Sequence, residues 1–199
     1  MRRLVVAATV ALASVAGACG LPQRQAAPTC QLPAEGAETL ILLAQAVPTA
    51  DRVPCIAEYP AGWHFADLEV RSGHGWFTLD NDRAGVSAVR VELMKTCDTS
   101  DFTEIASEED ATVRYERVLS VDGGFRSIRA YKFAGGCVTY RFQFTQRAQA
   151  LVNEVSAMLT FVTRDAIDAS VRATRGGGAT LDPPDEARTL PRPPRNGAG

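Results

Sequence analysis

The sequence predicts an α+β domain: an antiparallel sheet of about six strands, packed against a C-terminal helix and an N-terminal helix and stapled by disulfides. Three observations predict it. Residues 138–145 alternate, with Val138, Tyr140, Phe142 and Phe144 on one face and Thr139, Arg141, Gln143 and Thr145 on the other, the period-two pattern of a half-buried strand. Asp122-Gly123-Gly124 separates two strand-like runs and is a hairpin signal. Apolar residues at helical spacing bracket the strand region at both ends.

In chain order, Ala34–Ala46 is the N-terminal helix. Leu40, Leu43, Ala44 and Val47 fall at helical spacing, Pro33 suits a first turn, and Pro48 ends it. Residues 50–62 carry Pro54, Pro60 and Gly62 and are expected as loop. Trp63–Val70 and Gly75–Leu79 are the first two strands, joined by a turn at Arg71-Ser72-Gly73-His74. Asp80–Gly85 is another turn. Val86–Lys95 is the third strand, with Val89, Val91 and Leu93 facing one way and Arg90 and Glu92 the other. Residues 97–110 form an acidic loop with room for one helical turn. Thr112–Val121 and Phe125–Phe133 flank the hairpin signal, and Gly135-Gly136 turns the chain into the strand at 138–145. A helix from about Gln146 to Thr163, extending to Arg172, closes the domain with a stripe of Leu151, Val155, Met158, Leu159 and Val162.

The chain ends are of another character. Met1-Arg2-Arg3 precedes an uncharged, mostly apolar run from Leu4 to Ala18. That run is about 15 residues, short of the ~20 that a membrane-crossing helix needs, and has the basic, apolar, small-residue layout of a secretory signal peptide over residues 1–18. It ends Ala16-Gly17-Ala18-Cys19. This resembles the lipobox of bacterial lipoproteins, with Ala16 standing where the family prefers Leu. The resemblance implies cleavage before Cys19 and a lipid on its thiol. Ala16-x-Ala18 equally fits an ordinary signal-peptidase cut at the same bond, which leaves a free thiol.

Cysteine parity separates the two outcomes. The chain has five Cys, at 19, 30, 55, 97 and 137. In an oxidising compartment thiols pair, and an odd count leaves one to explain. Lipid on Cys19 lets Cys30, Cys55, Cys97 and Cys137 form two bridges. Four Cys allow three pairings; Cys30–Cys55 with Cys97–Cys137 is preferred because each bridge then stays within one half of the domain.

Residues 19–29 are then a lipidated Cys and tether, residues 30–172 a single domain of about 140 residues, and residues 173–199 a Gly/Pro-rich disordered tail ending in a Pro-Arg-Pro-Pro run. With 21 basic and 23 acidic side chains, the chain lacks the basic excess that nucleic acid binding calls for. The Cys spacings match no zinc site; no metal and no cofactor are expected.

Chemistry-bearing residues are sparse. His74 sits in a Gly-flanked turn with Asp67 and Asp80 nearby in sequence, and a hydrolase would need these to converge. Asp80-Asn81-Asp82 opens like a calcium loop, but Ala84 and Val91 occupy positions that would have to be ligands. Asp98, Asp101, Glu104, Glu108, Glu109 and Asp110 make an acidic run, by composition a solvated one. Arg114, Arg126, Arg129 and Arg141 lie on neighbouring strands and form a cationic patch if they share a face, although Arg129 has the parity of Phe125, Tyr131 and Phe133. Trp63 and Trp76 are candidates for lining a ligand cleft, but on strands such residues are expected in the core.

The segments Val53-Pro54-Cys55, Pro60-Ala61-Gly62-Trp63, LDNDRAG (79–85) and GGCVTYRF (135–142) carry a further likeness. On them the whole domain, 30–172, resembles an uncharacterised family of actinobacterial envelope proteins. That resemblance implies a source and a location, not a mechanism. The expectation is a lipoprotein on the extracytoplasmic face of the cell membrane, anchored through lipid. It acts as a non-enzymatic module that binds a wall component, a small ligand or an envelope protein. An extracytoplasmic hydrolase using His74 with Asp67 or Asp80 is the alternative. A third reading is a structural accessory reached through the Pro-rich tail.

Overall fold

The computed structural model describes residues 25–32, 37–145, 149–174 and 180–183. The expected signal peptide, Cys19 and the Pro-Arg-Pro-Pro run lie outside the described residues. The elements are α1 (Ala37–Ala46), β1 (Arg52–Ile56), β2 (Trp63–Arg71), β3 (His74–Asn81), β4 (Gly85–Met94), β5 (Thr103–Ile105), β6 (Val113–Ser120), β7 (Phe125–Phe133), β8 (Gly136–Phe144), α2 (Gln149–Met158), β9 (Leu159–Thr163) and α3 (Arg164–Thr174). The fold is α+β, as the pattern predicts. A seven-stranded sheet runs β2-β3-β4-β8-β7-β6-β5, and β1 pairs with β9 in a separate two-stranded sheet. Every strand pairing is antiparallel.

One face of the large sheet is the core. Phe77, Leu79, Val89, Val91, Leu93, Val138, Tyr140, Phe142 and Phe144 point into it and are buried, those on β4 and β8 at the alternate positions the sequence marks. Above them lie α1, α2 and the β1–β9 ribbon, whose Phe161 packs edge-on against Tyr131 and Phe133. The end of α1 is closed by distant groups. The Gly73 amide donates to Ala46 O at 2.6 Å, and the Arg164 guanidinium donates to Ala44 O at 2.5 Å, so carbonyls with no helical partner are satisfied.

The sequence reading departs from the structure in four places, each for a physical reason. Residues 52–56 form β1, not loop. Pro54 lacks a ladder donor, but a two-stranded ribbon has an outer edge where that loss is tolerated. Val53 to Ile56 are all buried, so no alternation marks them. The expected helix 146–172 is two helices with β9 between them. Leu159 and Val162 continue the helical stripe of Leu151, Val155 and Met158, but Thr160-Phe161-Val162-Thr163 is β-branched and aromatic, and pairing with β1 prevails over the stripe. The acidic loop contains the short strand β5, which brings the large sheet to seven strands.

Last, the domain edges lie further out than 30 and 172. Before Cys30, Pro28 is buried, Thr39 Oγ1 donates to Ala26 O at 2.7 Å, and Thr29 bridges Ile56. After Arg172, α3 runs to Thr174. Leu181 is buried against the core, and its amide donates to Asp168 Oδ1 at 2.7 Å. Apolar Leu181 within a polar run is the signal for that docking.

The two disulfides are Cys30–Cys55 and Cys97–Cys137. The first ties the incoming segment to β1. The second ties the loop after β4 to the start of β8.

The β7–β8 turn is the tightest point in the domain. Gly135 has φ +69°, and a Cβ there would lie 1.8 Å from Thr49 O. Gly135→Ala is expected to cost about 3 kcal/mol, from the left-handed backbone plus a clash with unyielding main chain. Gly73→Ala, at φ +81° with nothing near its Cβ, should cost about 1 kcal/mol. Urea unfolding of the two variants side by side checks the difference.

Candidate functional site

The two faces of the large sheet differ in how they are covered. The core face is roofed by helices and the β1–β9 ribbon. On the outer face, the loop after β4 lies across one end, held by Cys97–Cys137 and by an Asp101–Arg117 ion pair at 3.1 Å. Beyond that loop, no helix or strand among the described residues packs on the outer face.

The pleat and the strand order decide which side chains line it. β4 and β8 are distant in sequence but adjacent in the sheet, with Arg90 opposite Arg141 and Glu92 opposite Thr139. β8 also pairs with β7, setting Gln143 opposite Arg126. Three arginines from three strands thereby reach one region. A hollow of about 320 Å³ opens there, lined by Arg90, Arg126 and Arg141 with Ser87, Gln143 and Ile128. A second hollow of about 470 Å³ continues from Arg126 and Gln143 toward Asp122 and Val86. Exposed Val86 and Leu119 lie in the lining of these hollows.

Glu92 organises the arginines. Its Oε1 accepts from Arg90 Nε at 2.8 Å and its Oε2 from Arg141 Nε at 2.7 Å; Thr139 Oγ1 donates to the same Oε2 at 3.2 Å. Burial raises the Glu92 pKa, but the hydrogen bonds and charges of Arg141 and Arg90 outweigh it and hold the group below the ordinary carboxylate range. The carboxylate therefore stays ionised and fixes both guanidiniums. The Arg90 guanidinium also stacks 3.9 Å from the Trp76 ring centroid. Trp76 is thus an outer-face residue, not the core residue expected. Trp63 is in the core, with its Nε1–H donating to Glu154 Oε2 at 2.8 Å.

The expected four-arginine patch is divided. Arg126 and Arg141 face outward. Arg114 and Arg129 face the helical layer, where neighbouring carboxylates neutralise them. Arg129 donates to Glu116 Oε1 at 2.6 Å and to Ser156 Oγ at 2.6 Å. Tyr131 Oη donates to Glu108 Oε1 at 2.7 Å, and Arg114 pairs with Glu108 and Glu116. Burial raises Glu108, but hydrogen bonds from Tyr131 and Arg114 more than offset it and keep it below the usual range. Burial pushes Glu109 up, partly offset by the Thr160 hydroxyl. Glu108 and Glu109 are thus tied to internal groups, while Asp98, Asp101, Glu104 and Asp110 are exposed, as the composition of the run predicts.

The hydrolase residues do not come together. His74 and Asp80 sit at opposite ends of β3, six residues or roughly 20 Å apart. Asp67 lies opposite Thr78, four residues along, roughly 13 Å. Asp67 Oδ1 accepts from Leu68 N and Asp80 Oδ1 from Ser87 N. The acid nearest His74 is Glu92, 3.8 Å from Nε2, and it is already engaged by two arginines. His64 lies 3.3 Å from Asp82 on the exposed turn. Asn81 Oδ1 accepts the amides of Arg83 and Ala84, which makes the calcium-like stretch a strand-connecting Asx turn. Among the described residues, no group of His, Cys, Asp and Glu converges as a metal site, and no helix is long and apolar enough to cross a membrane. No known protein family, curated protein or solved structure matches the chain.

Proposed function

We propose that the chain is an exported lipoprotein, held by lipid on Cys19 at the extracytoplasmic face of the membrane, and that it works there as a non-enzymatic binding module. The outer face of the large sheet is its working surface. One observation carries the binding role: helices and the β1–β9 ribbon lie on the core face, while the outer face presents a groove lined by three arginines over which no helix packs among the described residues. Two further features support the location. Four of the five Cys are joined in bridges, which suits an oxidising compartment. They leave Cys19, at the end of a leader-like run, as the residue to carry lipid.

Hydrogen exchange tests the working surface. Isolated envelope material added to the purified protein is expected to slow amide exchange in β4, β7 and β8, around the groove, and to leave α1 and α3 unchanged. Protection confined to the helical layer, or none, contradicts the assignment.

A further inference from the structure

We propose that the groove between Arg90, Arg126 and Arg141 binds a phosphate-type oxyanion, either a soluble or polymer-borne phosphate or a lipid phosphate headgroup. The inference rests on the outer face being the working surface and adds the class of ligand. It begins from charge. The charged side chains lining the hollow are three arginines, and Glu92 binds two of them; three positive charges less one negative leave +2. That excess favours an anion: a phosphate monoester or pyrophosphate can neutralise it, and a phosphodiester, with one charge, is favoured over a carboxylate by the donor geometry.

Geometry gives the charge its direction. Glu92 takes the Nε–H of both Arg90 and Arg141, and their remaining Nη donors have no hydrogen-bond partner among the described residues. A guanidinium fixed on one edge offers its other edge as a pre-oriented fork, the arrangement that suits tetrahedral oxyanions. Because Glu92 and Trp76 already hold Arg90 in place, little side-chain freedom is lost on binding. Arg126 is the third cation. It lines both hollows, and among the described residues it makes no hydrogen bond or ion pair. Thr78, Ser87 and Gln143 add neutral polar groups to the lining, and Leu119 and Ile128 form an apolar shoulder suited to the carbon part of a phosphate ester.

The contrast with Arg114 and Arg129 sharpens the point. On the roofed face every arginine of the original four meets carboxylates that neutralise it. In the groove, Glu92 serves Arg90 and Arg141, and Arg126 has no carboxylate partner among the described residues.

The test is calorimetric titration of the purified full chain with inorganic pyrophosphate, with acetate as the carboxylate control. Saturable pyrophosphate binding is expected, weakened at least tenfold by Arg126→Gln and abolished by Arg126→Glu, with acetate producing no signal. Exposed Arg126 has no internal bond to lose, so both variants should keep the wild-type thermal midpoint. A second arm sediments the Cys19→Ser chain, which lacks the anchor thiol, with phosphatidylglycerol or phosphatidylcholine vesicles. Arg126-dependent binding to phosphatidylglycerol alone assigns the phosphate to a lipid headgroup. Pyrophosphate binding without vesicle binding assigns it to a soluble or polymeric source. Absence of pyrophosphate binding, or binding unchanged by Arg126→Gln, overturns the ligand class. If groove strands are still protected by envelope material in that case, the working surface stands and only its ligand is misassigned; without that protection both readings fall.

Discussion

Removing both disulfides is expected to leave the chain largely unfolded at 37 °C. The bridges close segments with sequence separations of 25 and 40. On the chain-entropy model these contribute about 3.5 and about 4 kcal/mol, by restricting the unfolded chain. Their combined loss approaches the whole net stability of a typical domain, about 5–15 kcal/mol. Both bridges also reinforce segments that lie at the margins of the fold. Cys30–Cys55 keeps the incoming segment on β1, and Cys97–Cys137 keeps the long loop after β4 across the sheet. Cys97→Ala with Cys137→Ala should therefore lower the unfolding free energy by about 4 kcal/mol. Free, that loop should become the first site of proteolysis. Urea titrations with and without reductant check both statements. A midpoint that reductant leaves in place would mean the bridges are dispensable.

Arg129→Ala carries the second large effect, about 3–5 kcal/mol. The side chain is only 7 % exposed and holds Glu116, Ser156 and, more loosely, Tyr131 Oη at 3.4 Å. Burial lowers the Arg129 pKa, but Tyr131 and Glu116 outweigh it, so the ion stays charged. Truncation leaves Glu116 beside Glu108 with one cation, Arg114, between them, and takes away the tie from β7 to Ser156 on α2. Arg126→Ala, three residues along the same strand, should change stability by less than about 0.5 kcal/mol, since it removes an exposed side chain with no internal partner. Thermal melts of the pair read the contrast directly. Equal effects would mean that the assignment of faces on β7 is wrong.

Those two arginines show what the sequence discloses and what it withholds. Alternation in β8 and β4 was clear enough to name Val138, Tyr140, Phe142, Phe144, Val89, Val91 and Leu93 as one buried face. The same parity put Arg129 with Tyr131 and opposite to Arg126. The hidden step was strand order. β4 lies against β8 across a long stretch of chain, so nothing local places Arg90 beside Arg141 or Glu92 between them. Arg90 and Glu92 were marked as outward on their own strand; the groove needed the partner strand as well. β9 was concealed for another reason. Leu159 and Val162 satisfy helical spacing as well as they satisfy a buried ribbon, and only pairing with β1 decides between the two. The bridge pairing was legible because each disulfide closes a contact within one half of the domain. His74 looked chemical on account of its flanking glycines, yet what the structure sets near it is Glu92, a carboxylate already shared by Arg90 and Arg141.

The location on which the function depends is tested most directly by peptide mass spectrometry of the protein taken from its own cell envelope without reductant. The account predicts an amino terminus at Cys19 bearing a diacylglycerol, with Cys30 linked to Cys55 and Cys97 linked to Cys137. A chain still carrying Met1, or beginning at an unmodified Cys19 thiol, would contradict it.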